Sequence, residues 1–493
     1  MTKRNSRNMQ RKFLTNLLLL LFLNLLVKPF WILGIDVEVQ NIVGSESYGF
    51  YFAILNFTFL FNIILDFGIT NFNNRNIAQN HQLLNKHFSG IIILRLMLAL
   101  VYAVIIFAIA IIWYGPSFKH LYFLGFLAFN QFLLSSILYL RSNISGLLLF
   151  RTDSFLSVLD RLLMILFCGL LIWNQTTREM FKIEWFVYAQ TAAYLCTAGI
   201  AAWIVMKKAK FKRLRWNRAF FMLILKQSFP FATLTFLMAI YNRVDSVLLE
   251  GILPDPQGDI QSGIYAHAFR LLDVFNQFAY LFAVPLLPLF SHMIKQKQNI
   301  EKIVRISYSM LFSVSVIVAF VSSFYSFEIM DMFYDEHIAA SARAFGILMF
   351  GFIAISTTYV FGTLLTANGS LKHLNMVALG GVLISLIINL ILIPKLLATG
   401  SAIASVSAQF ITAIVQMFLA VYMLKFSLNI RYLAALAIFV CIAFLSLMLS
   451  RDLSFVWYIN MGAGVLVSVV FAFLLRLLNI KELVEIIKTK DER

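Results

Sequence analysis

The chain has 493 residues, 61% of them hydrophobic and 13% charged, with a net charge of +17. Soluble domains carry about 25% charged and about 45–50% apolar residues, so no water-soluble core of this length hides that much apolar surface, and the excess has to face lipid. The charge does not indicate nucleic acid either, because the basic residues sit in short clusters between apolar runs, as loops do under the positive-inside rule.

The basic stretch Met1–Lys12 leads into an apolar run at 13–34 that contains Lys28. A secretory leader has a shorter apolar core and a small-residue cleavage site; this run has neither feature and reads as a retained first span. Further runs follow at 47–69, 89–113, 120–140, 154–173 and 184–206. The most basic loop, KKAKFKRLRWNR at 207–218, comes next and reads as a membrane-surface linker touching anionic headgroups. Beyond it lie runs at 220–251, 262–290, 303–325, 342–366, 374–394, 401–424, 431–450 and 455–478, and then KELVEIIKTK at 481–490, read as a short interfacial helix. Each run reaches the roughly 20 residues that a helix needs to cross hydrocarbon. Backbone amides cannot stay unpaired there, so the runs predict helices and not open strands. Cys168, Cys196 and Cys441 all lie inside apolar runs, which predicts packing residues and no disulfide framework.

With the N-terminus in the cytoplasm, the loops on that side hold 27 Lys and Arg and the opposite loops hold 6, an asymmetry that fixes the expected orientation with both termini cytoplasmic. The expected fold is all-α integral membrane, with about 14 transmembrane helices. It divides into an N-terminal six-helix bundle (1–206), a basic cytoplasmic linker (207–219), a C-terminal six-helix bundle (220–424), and a final helix pair with a cytoplasmic tail (425–493). A faint repeat supports the two bundles. Gly49-Phe50-Tyr51 matches Gly263-Ile264-Tyr265, and Gly146-Leu147-Leu148 matches Gly362-Thr363-Leu364-Leu365, in each case six spans apart. An even number of spans per copy predicts a pseudo-two-fold axis along the membrane normal.

The chain has no phosphate-binding G-x-x-x-x-G-K-[ST], H-E-x-x-H, C-x-x-C or G-x-S-x-G. The expectation is a transporter, not an enzyme, with no cofactor and no metal.

Ten ionisable residues fall within or near the spans: Lys28, Asp66, Arg95, Asp160, Arg161, Lys226, Arg243, Asp245, Arg270 and Asp273. Each costs about 2.5–3.5 kcal/mol at bilayer centre, so they must pair, snorkel, or face a wet cavity. Asp66 and Lys226 sit near cytoplasmic span ends and read as interfacial. Arg243 and Asp245 lie near the middle of the seventh span, and Arg270 and Asp273 share a face of the eighth, three residues apart. One reading is an internal ion-pair network with Asp245, Asp273 and Asp160 as pairing or coupling candidates. The other is a cationic cavity in which Arg270, Arg243, Lys28 and Arg95 bind an anionic headgroup, since arginine forks match phosphate oxygens. The two are compatible. His267, one turn before Arg270, reads as a packed histidine or a proton relay.

Three stretches carry a family resemblance. They are Leu65-Asp66-Phe67-Gly68-Ile69 with Arg75-Asn76-Ile77-Ala78; Tyr241-Asn242-Arg243-Val244-Asp245 through Gly263-Ile264-Tyr265-Ala266 and Phe269-Arg270-Leu271-Leu272-Asp273 to Pro285-Leu286-Leu287-Pro288; and Asn389-Leu390-Ile391-Leu392-Ile393-Pro394 with Gly400-Ser401-Ala402-Ile403-Ala404. Together they resemble the oligosaccharide flippases, the Wzx-type polysaccharide biosynthesis proteins of the multidrug/oligosaccharidyl-lipid/polysaccharide exporter superfamily, across roughly residues 10–480. Ser401-Ala402-Ile403 departs from the family's tighter Gly-Ala-Ala run.

The resemblance implies two bundles around a central cavity and alternating access. It implies passage of an undecaprenyl-diphosphate-linked oligosaccharide from the cytoplasmic to the outer leaflet of a bacterial inner membrane, for surface polysaccharide such as O-antigen. The implied partners are the lipid-linked oligosaccharide, membrane lipid, a polysaccharide polymerase and chain-length machinery. The competing readings are a multidrug or organic-cation antiporter, a peptidoglycan-precursor flippase of the same superfamily, and a membrane glycosyltransferase or polymerase. The last would need a large outer loop or an interfacial acid pair, and neither is evident.

Overall fold

The structure is a computed structural model that describes residues 19, 22–70, 73, 77, 82–147, 149–208, 218–283, 286–427 and 429–478. The expected tail helix at 481–490 and most of the 207–219 linker lie outside the described residues. Among the described residues the chain is helical with no strand, as hydrocarbon demands of a spanning backbone.

The first span, helical over 22–30, passes through one π-helical turn, Trp31–Asp36, into α1, Val37–Leu60. Gly44 breaks that helix with a φ of 79°, so the chain bends there and a second span begins. Next come α2 (Leu83–Tyr114), α3 (Phe118–Gly146), α4 (Phe150–Ile172), α5 (Ile183–Lys208), α6 (Arg218–Ile252) and α7 (Gln257–Ala283). After the short Leu286–Lys295 helix follow α8 (Glu301–Phe324), α9 (Ile338–Leu348), α10 (Gly351–Ala367), α11 (Leu371–Leu424), α12 (Ile430–Arg451) and α13 (Trp457–Leu474). The 54-residue α11 is two spans, divided where Leu397 takes a φ of 56° just after Pro394.

Nine helical segments among the described residues are long and apolar enough to cross a membrane. The charge-bearing α1, α6 and α7 are not among them, and they hold Asp36's neighbours and the Arg243, Asp245, Arg270 and Asp273 group. The protein is a multi-pass membrane protein. Side chains such as Leu100, Ile112, Phe418 and Leu466 are exposed on the outside, while Asn130, Asn143, Gln190, Asp245 and Asn389 are buried. That distribution suits lipid, since monomeric soluble proteins rarely expose large contiguous apolar patches.

Packing divides the chain into Met1–Gly263 and Ile264–Arg493. Helix α6, which the sequence assigns to the second bundle, packs on α1 and is grouped with the first unit. Within this unit α3 packs on α5, and α4 on both α5 and the π turn. Within the second unit α10 lies along α11, and α8 is packed by α10, α12 and α13.

The two halves of α11 are tied together by a buried polar contact. Ser401 donates to Asn389 Oδ1 at 2.8 Å, and the Asn389 amide donates to the Ser385 carbonyl at 2.9 Å. Where the family keeps a tighter small-residue run, this chain supplies a hydroxyl that donates to the buried Asn389 carbonyl oxygen.

Candidate functional site

Among the described residues the first unit holds several polar groupings, and three of them gather side chains from several helices around Lys28, Asp36 and Arg95. The first gathers Lys28 of the first span, Arg141 of α3, and Asp160 and Arg161 of α4. Arg141 Nε lies 2.8 Å from Asp153, and Arg161 Nε lies 3.7 Å from Asp160. Lys28 is within electrostatic reach of Arg161, Asp160 and Arg141. Among the described residues, these three basic side chains meet the carboxylates of Asp153 and Asp160 here. The Arg161 guanidinium also lies over the rings of Trp31 and Tyr194, at 5.8 and 6.0 Å, and Trp31 stacks on Phe186 at 5.9 Å. Asn24 donates to Ser157 at 3.0 Å and joins the first span to α4 on this side.

The second grouping centres on Asp36, which is buried at the end of the π turn. The Tyr48 hydroxyl lies 3.0 and 2.9 Å from its two oxygens, and the Gln40 amide donates to it at 3.3 Å. Tyr51 and Asn130 both donate to Gln190 Oε1, at 3.5 and 3.3 Å. A π turn inserts one extra residue into the helix, re-aiming the side chains that follow it, and such turns frequently mark functional positions. Sequence reading placed Asp36 in the loop after the first span. The helix runs on to Gly44, and nothing in the local residue pattern signals the π turn.

The third grouping fixes Arg95. Its Nη1 is 2.7 Å from Asp66, its Nη2 donates to Ser135 at 2.5 Å, and its guanidinium lies 5.0 Å over the Tyr139 ring. Arg95 is buried, and the partly exposed Asp66 is its ion-pair partner. Arg243 stands elsewhere in the unit, donating to Asn56 at 3.3 Å and lying 5.1 Å over Phe59, while Asn56 donates to Ser246 at 2.8 Å. Asp245 is fully buried nearby.

In the second unit Arg270 and Asp273 approach to 3.8 Å along one face of α7. His267 is buried, stacked on Tyr334 at 4.0 Å, with its Nδ1 2.9 Å from Ser341. The structure thus brings Lys28 and Asp160 together with Arg161, which sequence reading noted as charged without assigning to the site. It places Arg95 and Arg243 in separate polar groupings of the same unit, and Arg270 and Asp273 in the other unit.

The sequence pattern of the polysaccharide biosynthesis protein family matches residues 13–294. The chain belongs to that family. No curated protein matches it by sequence. In fold, this polysaccharide biosynthesis family member is similar to a lipid II flippase, MurJ, in an inward closed conformation, with a TM-score of 0.67 at 14% identity over 94% of this chain and 97% of that one. It is also similar to an inward-facing multidrug resistance MATE transporter of the MOP superfamily, with a TM-score of 0.59 at 12% identity over 82% and 98% of the two chains. A MOP-superfamily transporter from Pyrococcus furiosus gives 0.56 at 14% identity over 83% and 95%. The fold is that of MOP-superfamily transporters.

The family member carries a further acidic cluster in the first unit, at span ends, with Asp255 and Asp259 outside the apolar runs. Glu250 closes α6 and lies 3.1 Å from His120 Nε2, which in turn has Ser117 3.0 Å from its Nδ1. Burial and the Glu250 carboxylate push Asp259 up to about 7, helped by Asp255 and opposed by Lys119 and His120. A carboxyl whose folded pKa is raised binds more protons folded than unfolded, so its stability contribution is fully present below about pH 4 and is lost as pH rises towards 7. Melting of the purified protein should show this fall between about pH 4 and 7, and Asp259→Asn should flatten it. Identical pH profiles for the two proteins would overturn the assignment.

Proposed function

We propose that this family member translocates a polyprenyl-diphosphate-linked oligosaccharide, of the undecaprenyl type, from the cytoplasmic to the outer leaflet of a bacterial inner membrane for surface polysaccharide assembly. The single observation that carries this reading is the cationic group of Lys28, Arg141 and Arg161, set beside Trp31 and Tyr194 and beside the carboxylates of Asp153 and Asp160. A diphosphate is the kind of group such a set receives, because guanidinium forks and an ammonium together supply charge-assisted donors. Aromatic rings beside the cations offer faces on which a sugar can lie. Arg243 and Arg270 are proposed as further contacts for the headgroup along its path, and Asp36, Asp245 and Asp273 as acids that release or take up charge during the cycle.

The family membership supports a role in polysaccharide synthesis, and the fold supports transport by alternating access. Both termini are proposed to be cytoplasmic, on the strength of the Lys and Arg asymmetry of the loops. An organic-cation carrier would be better served by an excess of carboxylates than by an excess of cations.

Deleting the gene in its own host and extracting carrier lipids tests the proposal. Intact lipid-linked oligosaccharide should accumulate while surface polysaccharide is lost. Unpolymerised sugar reaching the cell surface would point to a polymerase, and accumulation of the peptidoglycan precursor would redirect the substrate. Either result would overturn the proposal.

A further inference from the structure

The second unit contains a pocket with no evident part in carrying a substrate across the membrane. Helices α8, α12 and α13 share one apolar core that includes Val316, Phe320, Phe439, Leu447 and Ala472. At one end of this bundle the first turn of α8, the segment ahead of α12 and the turn after α13 converge on a pocket of about 420 Å³. All three segments lie in or next to loops that the Lys and Arg count places on the basic side of the membrane. Lys302, Arg305 and Arg476 line the pocket, against the one carboxylate of Glu301.

Arg305 is held in place before any ligand arrives. Its Nη2 donates to Glu301, to the Ser427 carbonyl at 2.9 Å and to the Ser427 hydroxyl at 3.1 Å. Ser427 donates in turn to Glu301 at 2.6 Å, and the guanidinium lies 5.7 Å over the Tyr432 ring. All three of these hydrogen bonds use Nη2, and among the described residues Nε and Nη1 of Arg305 make none. Arg476 closes α13 in a left-handed conformation, φ 58°, where glycine is usual. The turn is fixed by the Arg476 amide donating to the Phe473 carbonyl and the Leu477 amide to the Ala472 carbonyl, both at 2.9 Å. Its side chain is exposed.

We propose that this pocket binds the phosphodiester headgroup of an anionic phospholipid from the basic-side leaflet. Three cations against one carboxylate suit a phosphate oxygen set, and basic pockets between helices on the cytoplasmic side take such headgroups. A pocket of about 420 Å³ is of the size class that holds a small-molecule head. Lipid is favoured over a soluble phosphate because exposed apolar side chains continue from the pocket: Ile430 and Leu433 on α12, and Phe473 and Leu474 on α13. Acyl chains attached to the bound head would lie along them. The ligand holds α12 and α13 against α8 and is independent of the transported substrate.

The test uses the full-length protein, purified in a neutral detergent and stripped of lipid. Its melting and lipid retention by native mass spectrometry are followed with phosphatidylglycerol, with phosphatidylcholine and with sodium phosphate. Phosphatidylglycerol should raise the melting temperature and stay bound, and the other two should not. Lys302→Gln with Arg476→Gln should weaken retention about thirtyfold, and the exposed Lys372→Gln should leave it unchanged. Arg476→Gln alone, a surface change, gives a second reading should the pair fail to fold, with a loss of about fivefold expected. Equal retention of the two lipids, or variants that hold phosphatidylglycerol like the parent, would overturn the proposal. Stabilisation by sodium phosphate alone, lost in the double variant, would overturn the lipid assignment in favour of a free anion.

Discussion

Replacing Lys28 and Arg161 together with glutamine is expected to cut transport of the lipid-linked oligosaccharide at least about a hundredfold while the amount of inserted protein stays the same. Hydrogen bonds to charged groups are worth about 1.5–3 kcal/mol each, and the substitution removes two cationic donors from a group that holds three. It leaves Arg141 tied to Asp153 at 2.8 Å. Arg161→Lys separates charge from geometry: it keeps the cation but loses the guanidinium fork that lies over Trp31 and Tyr194, so a partial loss is expected. The measurement is translocation into vesicles of purified lipid-linked oligosaccharide, read by access of an added glycosidase. Running Arg243→Ala and Arg270→Ala in the same assay ranks the separate cationic positions. Undiminished transport in the Lys28 and Arg161 double variant would reject this group as the place that receives the diphosphate.

Gly49→Ala should lower the melting temperature and loosen a helix crossing, because a Cβ there would stand 1.9 Å from the Asp259 carbonyl oxygen and 2.5 Å from the Gly263 nitrogen. The crossing is reciprocal. A Cβ on Gly263 would meet the Ser45 carbonyl oxygen at 2.0 Å. In both cases the obstacle is backbone, so no side-chain rotation relieves it. Small residues let spanning helices approach in this way, and overpacking typically costs about 1–3 kcal/mol. Gly462→Ala, where no atom lies within 4 Å of the added carbon, is the matched control and should melt like the parent. Thermal melting in detergent and cross-linking between cysteines placed at Ser45 and Gln261 report the crossing directly. A Gly49→Ala protein that melts and cross-links like the parent would refute this close contact.

These two positions also show what a reader of the residues can and cannot reach. Gly49-Phe50-Tyr51 and Gly263-Ile264-Tyr265 are visible as a repeated pattern. That the two glycines pack against each other's helices is invisible, because a repeat carries no information on which copies touch. Arg95 is similar. Its depth in an apolar run marks it as needing a partner, yet that partner, Asp66, lies 29 residues away, and the contact depends on how α2 meets the short Ile63–Asp66 helix. Asp36 was missed for a different reason. A π turn extends the first helix past the point where hydropathy falls, so a buried acid looks like a loop residue.

The sequence by itself determined that this chain lies in a membrane, that its spans are helices, and which family it resembles, since hydrocarbon accepts few backbone solutions and the motifs stand in the primary structure. Tertiary structure alone decided which cations stand together: Lys28 with Arg161, Arg95 with Asp66, and Arg305 with Glu301. The physical reason is that the cost of an ionisable group in lipid depends only on its depth, which can be read along one helix, whereas its relief depends on neighbours that other helices supply.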